Sequence, residues 1–168
     1  MLNIERIVTG GQTGVDRAAL DVAIRFGIPY SGWCPKGRLA EDGVIDERYV
    51  LREADSSDYG VRTELNVRDS DATLIVAFGE LEGGTKLTED CAIKLHRPFL
   101  VVDILGQELR QDPRDWMSRF DVKVLNIAGP RESLRPGEVY ARSFNYLIHL
   151  FAGAVDKSDQ GKATERVY

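Results

Sequence analysis

One stretch of the sequence is almost wholly apolar over seven residues, and it reads Ala72-Thr73-Leu74-Ile75-Val76-Ala77-Phe78. A strand without polar alternation is typical of a parallel sheet covered on both faces, because neither face contacts water. Further along the chain, Gly83-Gly84-Thr85 opens a helical pattern that continues to Leu95. This part of the chain therefore predicts a buried strand, a glycine-rich turn and a helix.

Strands and helices alternate on both sides of this unit. Strands are predicted at residues 4–9, 99–102 and 122–128, and helices at 15–26, 59–67 and 139–151, with a helical turn from Asp112. Residues 31–58 are rich in glycine and proline and predict a short strand and a long loop. The alternation predicts an α/β fold, a Rossmann-like three-layer sandwich with a mainly parallel sheet and helices on both faces.

The first helix carries signals at both of its ends. Thr13 and Asp16 have the spacing of a capping box, with Asp in place of the usual Glu. Gly27 and Pro29 predict its end, because glycine accepts a left-handed cap and proline cannot continue a helix.

Length and composition limit the class of protein. The 168 residues predict one domain at 1–155 and a polar tail at 156–168 that is expected to fray. The net charge of −5 disfavours a nucleic-acid partner. Two cysteines cannot build a disulfide framework. No apolar run approaches the roughly 20 residues that span a bilayer, and the first residues lack a signal-peptide pattern, so we expect a cytoplasmic protein with no membrane partner.

Three glycine-containing loops each follow a predicted strand. They are Gly10-Gly11-Gln12-Thr13-Gly14, Gly83-Gly84-Thr85 and Gly129-Pro130-Arg131-Glu132-Ser133. In a parallel sheet these loops meet at one edge, where helix N-termini present unpaired N–H groups that suit a phosphate. The first loop has neither the G-x-G-x-x-G order of a dinucleotide-binding turn nor the Gly-Lys-Ser/Thr of a P-loop. The loops therefore predict an oxyanion site but neither NAD-dependent chemistry nor ATP hydrolysis.

Basic side chains near these loops are candidates for contacts to an oxyanion. They are Arg17, Lys36, Arg38, Arg62, Lys86 and Arg131, of which Arg62 and Arg131 are the strongest. Cys34 has cationic neighbours in the sequence, but neither His96 nor His149 lies near it. A cysteine–histidine mechanism is therefore disfavoured, and we predict no catalytic residue and no metal ligand.

Six blocks of the sequence, in order, resemble the molybdenum carrier family, the molybdenum-cofactor carrier proteins of the SLOG group. The blocks are Gly10-Gly11-Gln12-Thr13-Gly14-Val15-Asp16-Arg17, Trp33-Cys34-Pro35-Lys36-Gly37-Arg38, Arg62-Thr63 with Asn66-Val67, Ser70-Asp71-Ala72-Thr73-Leu74-Ile75, Gly83-Gly84-Thr85 and Asn126-Ile127-Ala128-Gly129-Pro130-Arg131-Glu132-Ser133. The resemblance implies a homo-oligomer, expected to be a tetramer, that binds and protects the molybdenum cofactor and transfers it to molybdoenzymes.

The resemblance also implies a ligand with distinct chemical parts. A terminal phosphate suits a helix N-terminus, a planar pterin needs donors and acceptors such as Gln12, Thr63 or Asn66, and the molybdate-like head is a second oxyanion. The expected cofactor-binding residues are Gly10, Gly11, Gln12, Thr13, Gly14, Arg17, Lys36, Arg38, Arg62, Thr63, Gly83, Gly84, Thr85, Arg131 and Ser133. The exact ligand, whether mononucleotide, dinucleotide or metal-free, stays open.

Two other functions stay open. The LOG-type phosphoribohydrolases of the same group use an arginine and a glutamate in catalysis. Arg62 matches that arginine, but Thr88 holds the position of the glutamate, and Glu89 lies one residue further, about 100° around the helix. Hydrolysis needs an anion at that position, so the match is incomplete. The third alternative is a nucleotide-sensing module that acts with a partner.

Overall fold

The computed structural model describes residues 3–106 and 111–155. Within these ranges the strands are β1 (Arg6–Val8), β2 (Tyr30–Ser31), β3 (Trp33–Cys34), β4 (Leu39–Ala40), β5 (Gly43–Val44), β6 (Arg52–Glu53), β7 (Ala72–Ala77), β8 (Phe99–Asp103) and β9 (Val124–Ala128). The helices are α1 (Val15–Phe26), α2 (Tyr59–Arg68), α3 (Gly83–Lys94), α4 (Pro113–Arg119) and α5 (Val139–Val155), with a 3₁₀ turn at Glu132–Leu134.

Five strands form the central sheet, in the order β2-β1-β9-β7-β8, and every neighbouring pair is parallel. Strand β7 lies inside the sheet, and all six of its residues are buried. Leu74 and Val76 point into a core shared with α1 and α5, whereas Ile75 points to the opposite face. A smaller core under α2 and α3 contains Val67 and Ala92. The predicted three-layer α/β fold is confirmed.

The boundaries of several elements differ from the predicted ones. The first and last strands are shorter than the sequence predicted, and α2 and α5 are longer. Residues 31–58 form more than one short strand: β3 pairs with β6 in parallel, and β4 with β5 in an antiparallel hairpin. The predicted single domain stays a prediction, and the predicted tail at 156–168 lies outside the described residues.

The predicted capping box at α1 is wrong. The N-cap residue is Gly14, and no side chain caps the first turn. The Thr13 hydroxyl donates to Glu41 and accepts from the Glu132 amide, while the Asp16 carboxylate accepts from the Gln12 amide. The Thr13 side chain thus joins distant segments, and the Asp16 side chain bonds the loop that precedes the helix. At the other end the predicted left-handed cap is confirmed, since Gly27 has a φ of 63°.

Among the helices of residues 3–106 and 111–155, none is both long enough and apolar enough to cross a bilayer.

Candidate functional site

The three glycine-containing loops follow neighbouring strands of the central sheet. Strand β9 lies between β1 and β7, so the loops at their carboxyl ends are adjacent. The chain runs from β1 outward to β2 and from β7 outward to β8, which makes this edge the switch point of the sheet. A cavity of about 390 Å³ opens there and is lined by parts of all three loops. This volume falls in the lower part of the range for small-molecule sites.

The structure brings eight of the fifteen expected binding residues to this cavity. They are Gln12, Arg62, Thr63, Gly83, Gly84, Thr85, Arg131 and Ser133. Thr13, Gly14 and Arg17 instead line a second cavity of about 640 Å³, which shares Ser133 with the first. Gly10, Gly11, Lys36 and Arg38 line neither of these two cavities.

Arg62 is the cation most deeply set in the first cavity. Its side chain is 13% exposed, and its Nη1 lies 3.3 Å from Oδ2 of Asp16, a carboxylate that is only 3% exposed. Gly10 lies directly against this guanidinium, because a Cβ there would be 1.9 Å from Nη1 of Arg62. Burial raises the pKa of Asp16, and the nearby charge of Arg62 opposes that rise. The guanidinium is thus held at the cavity by a buried partner.

Helix α3 also begins at the wall of this cavity. Its N-cap residue, Glu82, makes no side-chain hydrogen bond to the first turn, and the amides of Thr85 and Lys86 donate to the carbonyl of Glu82. Among the described residues, the amides of Gly83 and Gly84 are therefore the donors left for a ligand at this helix end. A Cβ on Gly84 would meet no heavy atom within 4 Å. The open end of the helix favours an anion.

Arg131 and Ser133 line the cavity from the loop after β9. The carboxylate of Glu41, at the tip of the β4–β5 hairpin, accepts a hydrogen bond of 3.0 Å from the Ser133 amide and one of 2.6 Å from its hydroxyl. The Thr13 hydroxyl also donates to Glu41, and Nε of Arg131 lies 4.0 Å away. Burial by itself raises the pKa of Glu41, but the hydrogen bonds from Ser133 and Thr13 outweigh it and lower the pKa below its ordinary value.

Three other basic candidates make hydrogen bonds or ion pairs with other groups of the chain. Arg17 makes two hydrogen bonds of 3.0 Å to the Asp42 carboxylate and a third, of 2.8 Å, to the Gly11 carbonyl. Arg38 donates to the backbone carbonyls of Ile45, Asp46, Tyr49 and Leu51. Lys86 pairs with Glu89 and Asp90 on the exposed side of α3. In this structure these cations order loops and helix surfaces instead of lining the first cavity.

The polar residues expected at the rim of a pterin differ in their positions. Gln12 is buried, and its Oε1 accepts from the amides of Thr13 and Glu41. Thr63 lines the cavity but donates its hydroxyl to the Tyr59 carbonyl. Asn66 clamps the backbone of Trp33 through two hydrogen bonds and does not line the cavity. Gln12 and Thr63 thus remain candidates, whereas Asn66 anchors β3.

Sequence reasoning missed most of the cavity wall. The missed residues include Asp16, Tyr59, Phe78, Leu81, Leu87, Thr88, Pro130 and Leu134. Most of these side chains are apolar, and neither their type nor their spacing marks them as ligand contacts. Asp16 had one usable signal, because it is an acidic residue beside the apolar stripe of α1. It was assigned to a helix cap instead.

The described part of the chain holds a buried Cys34 and no cluster of potential metal ligands. Cys34 is buried, and burial raises the pKa of its thiol, so the reactive thiolate is disfavoured. Among residues 3–106 and 111–155, no three His, Cys, Asp or Glu side chains converge as a metal-binding group. The lining of the first cavity combines hydrogen-bond donors, two arginines, the three acidic residues Asp16, Glu80 and Glu82, and apolar walls.

Comparisons with known proteins place the chain in a family. Residues 7–151 match the family described as the Circularly permutated YpsA SLOG family. The structure is similar to that of a "Putative molybdenum carrier protein" from Syntrophus aciditrophicus SB, with a TM-score of 0.82 and 46% sequence identity over 89% of this chain and 95% of that one. A search of curated proteins found no match. The resemblance read from the six sequence blocks is thus confirmed, and the chain belongs to the circularly permutated YpsA SLOG family.

Proposed function

We propose that this protein binds the molybdenum cofactor, shields it and passes it on without catalysing a reaction. The observation that carries the proposal is the cavity at the switch point, whose lining includes the open end of α3, Arg62 and apolar side chains. The similarity to the Syntrophus protein supports a molybdenum-related ligand. The cofactor is cargo in this proposal, so its redox chemistry belongs to the enzymes that receive it.

The terminal phosphate of the ligand is assigned to α3. The amides of Gly83 and Gly84 supply donors, and the helix dipole adds positive potential. Arg62 supplies a charge-assisted hydrogen bond from the α2 side of the cavity. Its Nε is buried and has no hydrogen-bond partner among the described residues, which is consistent with a ligand as the missing acceptor.

The planar part of the ligand is assigned to the apolar walls. Tyr59, Leu81, Leu87 and Leu134 line the same cavity, and such surfaces cover a flat ring and exclude water from it. Gln12 and Thr63 line the same cavity and are assigned to the edge of a pterin. Arg131, whose side chain is half exposed and lies 4.0 Å from Glu41, is assigned to an oxyanion. This division of roles matches a ligand with a phosphate, a ring system and a second charged end.

Catalysis by the LOG-type route has weaker support. Thr88 lines the cavity where that route needs a glutamate, and its hydroxyl donates to the Gly84 carbonyl. Glu89 is paired with Lys86. The alternative keeps one favourable observation, which is that Arg62 lies in the cavity beside α3. Incubation with nucleoside monophosphates separates the two functions, because a hydrolase releases free base and a carrier does not.

A direct test uses molybdenum cofactor released from a purified molybdoenzyme without oxygen. The protein is mixed with it and desalted, and the retained pterin is oxidised and measured by fluorescence. We expect the wild-type protein to retain pterin and to activate an apo-molybdoenzyme. Arg62→Ala should retain about tenfold less, whereas Arg142→Ala, which removes an exposed arginine of α5, should behave as wild type. Retention no higher than that of an unrelated protein would refute the proposal.

The assembly is proposed on the resemblance alone. We propose a homo-oligomer, a tetramer, that gives its ligand to molybdoenzyme partners in the cytoplasm. Light scattering after size exclusion measures the mass directly, and a monomer at micromolar concentration would contradict the tetramer without touching the binding proposal.

A further inference from the structure

The carboxylate of Glu41, at the hairpin tip, accepts hydrogen bonds from a set of donors that would otherwise suit an oxyanion. The Ser133 amide, the Ser133 hydroxyl and the Thr13 hydroxyl all donate to its carboxylate, and Arg131 lies 4.0 Å away. These donors come from two loops, 28 and 92 residues from Glu41 in the sequence. The side chain of Glu41 is 19% exposed, although the residue as a whole lies at the surface.

The hairpin tip is held in this position by further contacts. Gln12 Oε1 accepts from the Glu41 amide at 2.9 Å, and the neighbouring Asp42 accepts two hydrogen bonds from Arg17. The carboxylate is therefore anchored through its backbone and through the adjacent residue of the tip. A side chain held in this way has little rotamer freedom left to lose when it binds its donors.

The position of Glu41 matters because Ser133 lines both cavities. The first cavity contains Arg62, Gly84 and Arg131, and the second contains Glu41 itself. Ser133 is therefore the residue at which a ligand in the first cavity borders the donors that Glu41 uses. A second phosphoryl group beside Ser133 would meet a carboxylate that already uses the donors, and two anions that share them repel each other.

We infer that Glu41 is a specificity-determining residue, which restricts the cavity to ligands with a single phosphoryl group and excludes pyrophosphate-linked ones. This inference rests on the proposed function, because it assumes that the first phosphoryl group binds at α3. It selects the mononucleotide form of the ligand over the dinucleotide forms. The specificity arises because Glu41 already occupies the donors. Its negative charge would repel the second phosphoryl group of a rejected ligand.

The test compares inorganic phosphate and pyrophosphate by calorimetric titration of the whole protein. In Glu41→Ala the donors are free and the repelling charge is gone, so we expect pyrophosphate affinity to rise tenfold or more and phosphate affinity to change less than threefold. Glu41→Gln keeps the shape and removes the charge, so it should give a smaller rise in the same direction. Glu47→Ala removes an exposed carboxylate of the next loop and should leave both affinities unchanged.

Thermal unfolding of each variant shows whether it is folded, and Glu41→Gln keeps the test valid if Glu41→Ala is not. An unchanged ratio of pyrophosphate to phosphate affinity in the folded variants would overturn the inference, and so would an equal loss of both. Failure of wild type to bind phosphate would instead count against the α3 site of the proposed function. The inference would then fail with it, because it assumes that the first phosphoryl group binds at α3.

Discussion

Gly10 and Arg62 are in direct contact: a Cβ added to Gly10 would lie 1.9 Å from Nη1 of Arg62 and 2.6 Å from its Cζ. The same position would be 3.0 Å from Oδ2 of Asp16. The glycine after β1 therefore serves close packing of a guanidinium and a carboxylate against the backbone. Because Gly10 faces Arg62, we expect a substitution at Gly10 to affect ligand binding through Arg62.

Gly10→Ala should displace Arg62 from its position at the cavity. The atoms in the way belong to the far end of a flexible side chain, so we expect a folded protein with a shifted guanidinium. Loss of one charge-assisted hydrogen bond, about 1.5–3 kcal/mol, predicts phosphate affinity at least tenfold weaker. Calorimetry should give the same loss for Arg62→Ala and no further loss for the double variant. Additive losses would mean that Gly10 acts independently of Arg62.

Gly84→Ala should weaken binding without weakening the fold. The new methyl group would meet no heavy atom within 4 Å, at a residue that lines the cavity in the first turn of α3. Alanine is also favoured over glycine in a helix by up to about 1 kcal/mol. We expect an equal or higher melting temperature together with a several-fold loss of phosphate affinity. Unchanged affinity in the folded variant would place the phosphate elsewhere.

Arg38→Ala should affect stability and leave ligand binding alone. The guanidinium of Arg38 donates to four backbone carbonyls of the segment at residues 45–51. Removing these partly solvated bonds should cost about 2 kcal/mol, measured by urea denaturation. Phosphate affinity of the folded variant should equal that of wild type. A selective loss of affinity would return Arg38 to the ligand contacts that the sequence predicted.

Asp16→Asn should change how stability depends on pH. The pKa of Asp16 is raised by burial above its ordinary value of 3.8, so on raising the pH the unfolded chain loses this proton before the folded one does. This lowers the free energy of unfolding of wild type as the pH rises from 3.8 through the folded pKa. The variant lacks this group, so its stability relative to wild type should increase with pH in that window. Urea denaturation between pH 4 and 8 measures the difference, and a pH-independent difference would contradict the raised pKa.

Several features of the fold could be predicted because they depend on local patterns. The apolar run at β7 predicted a buried parallel strand, and the helical stripe of α1 predicted its length to the residue. The region at residues 31–58 was harder, since its short strands are held by side-chain contacts such as that between Asn66 and Trp33. Strands of two residues carry too little periodicity to be recognised.

The sequence by itself determined the alternation of strands and helices, and with it the edge of the sheet at which three glycine-containing loops meet. Only the tertiary structure decided which polar groups are free at that edge. Asp16 and Arg62 are 46 residues apart, and Glu41 and Ser133 are 92 apart. Residue type shows that a side chain can bind an anion, but whether the chain's own carboxylate already binds it depends on contacts between distant segments. That is why residue type predicts Arg17 and Arg38 at the ligand and does not single out Glu41.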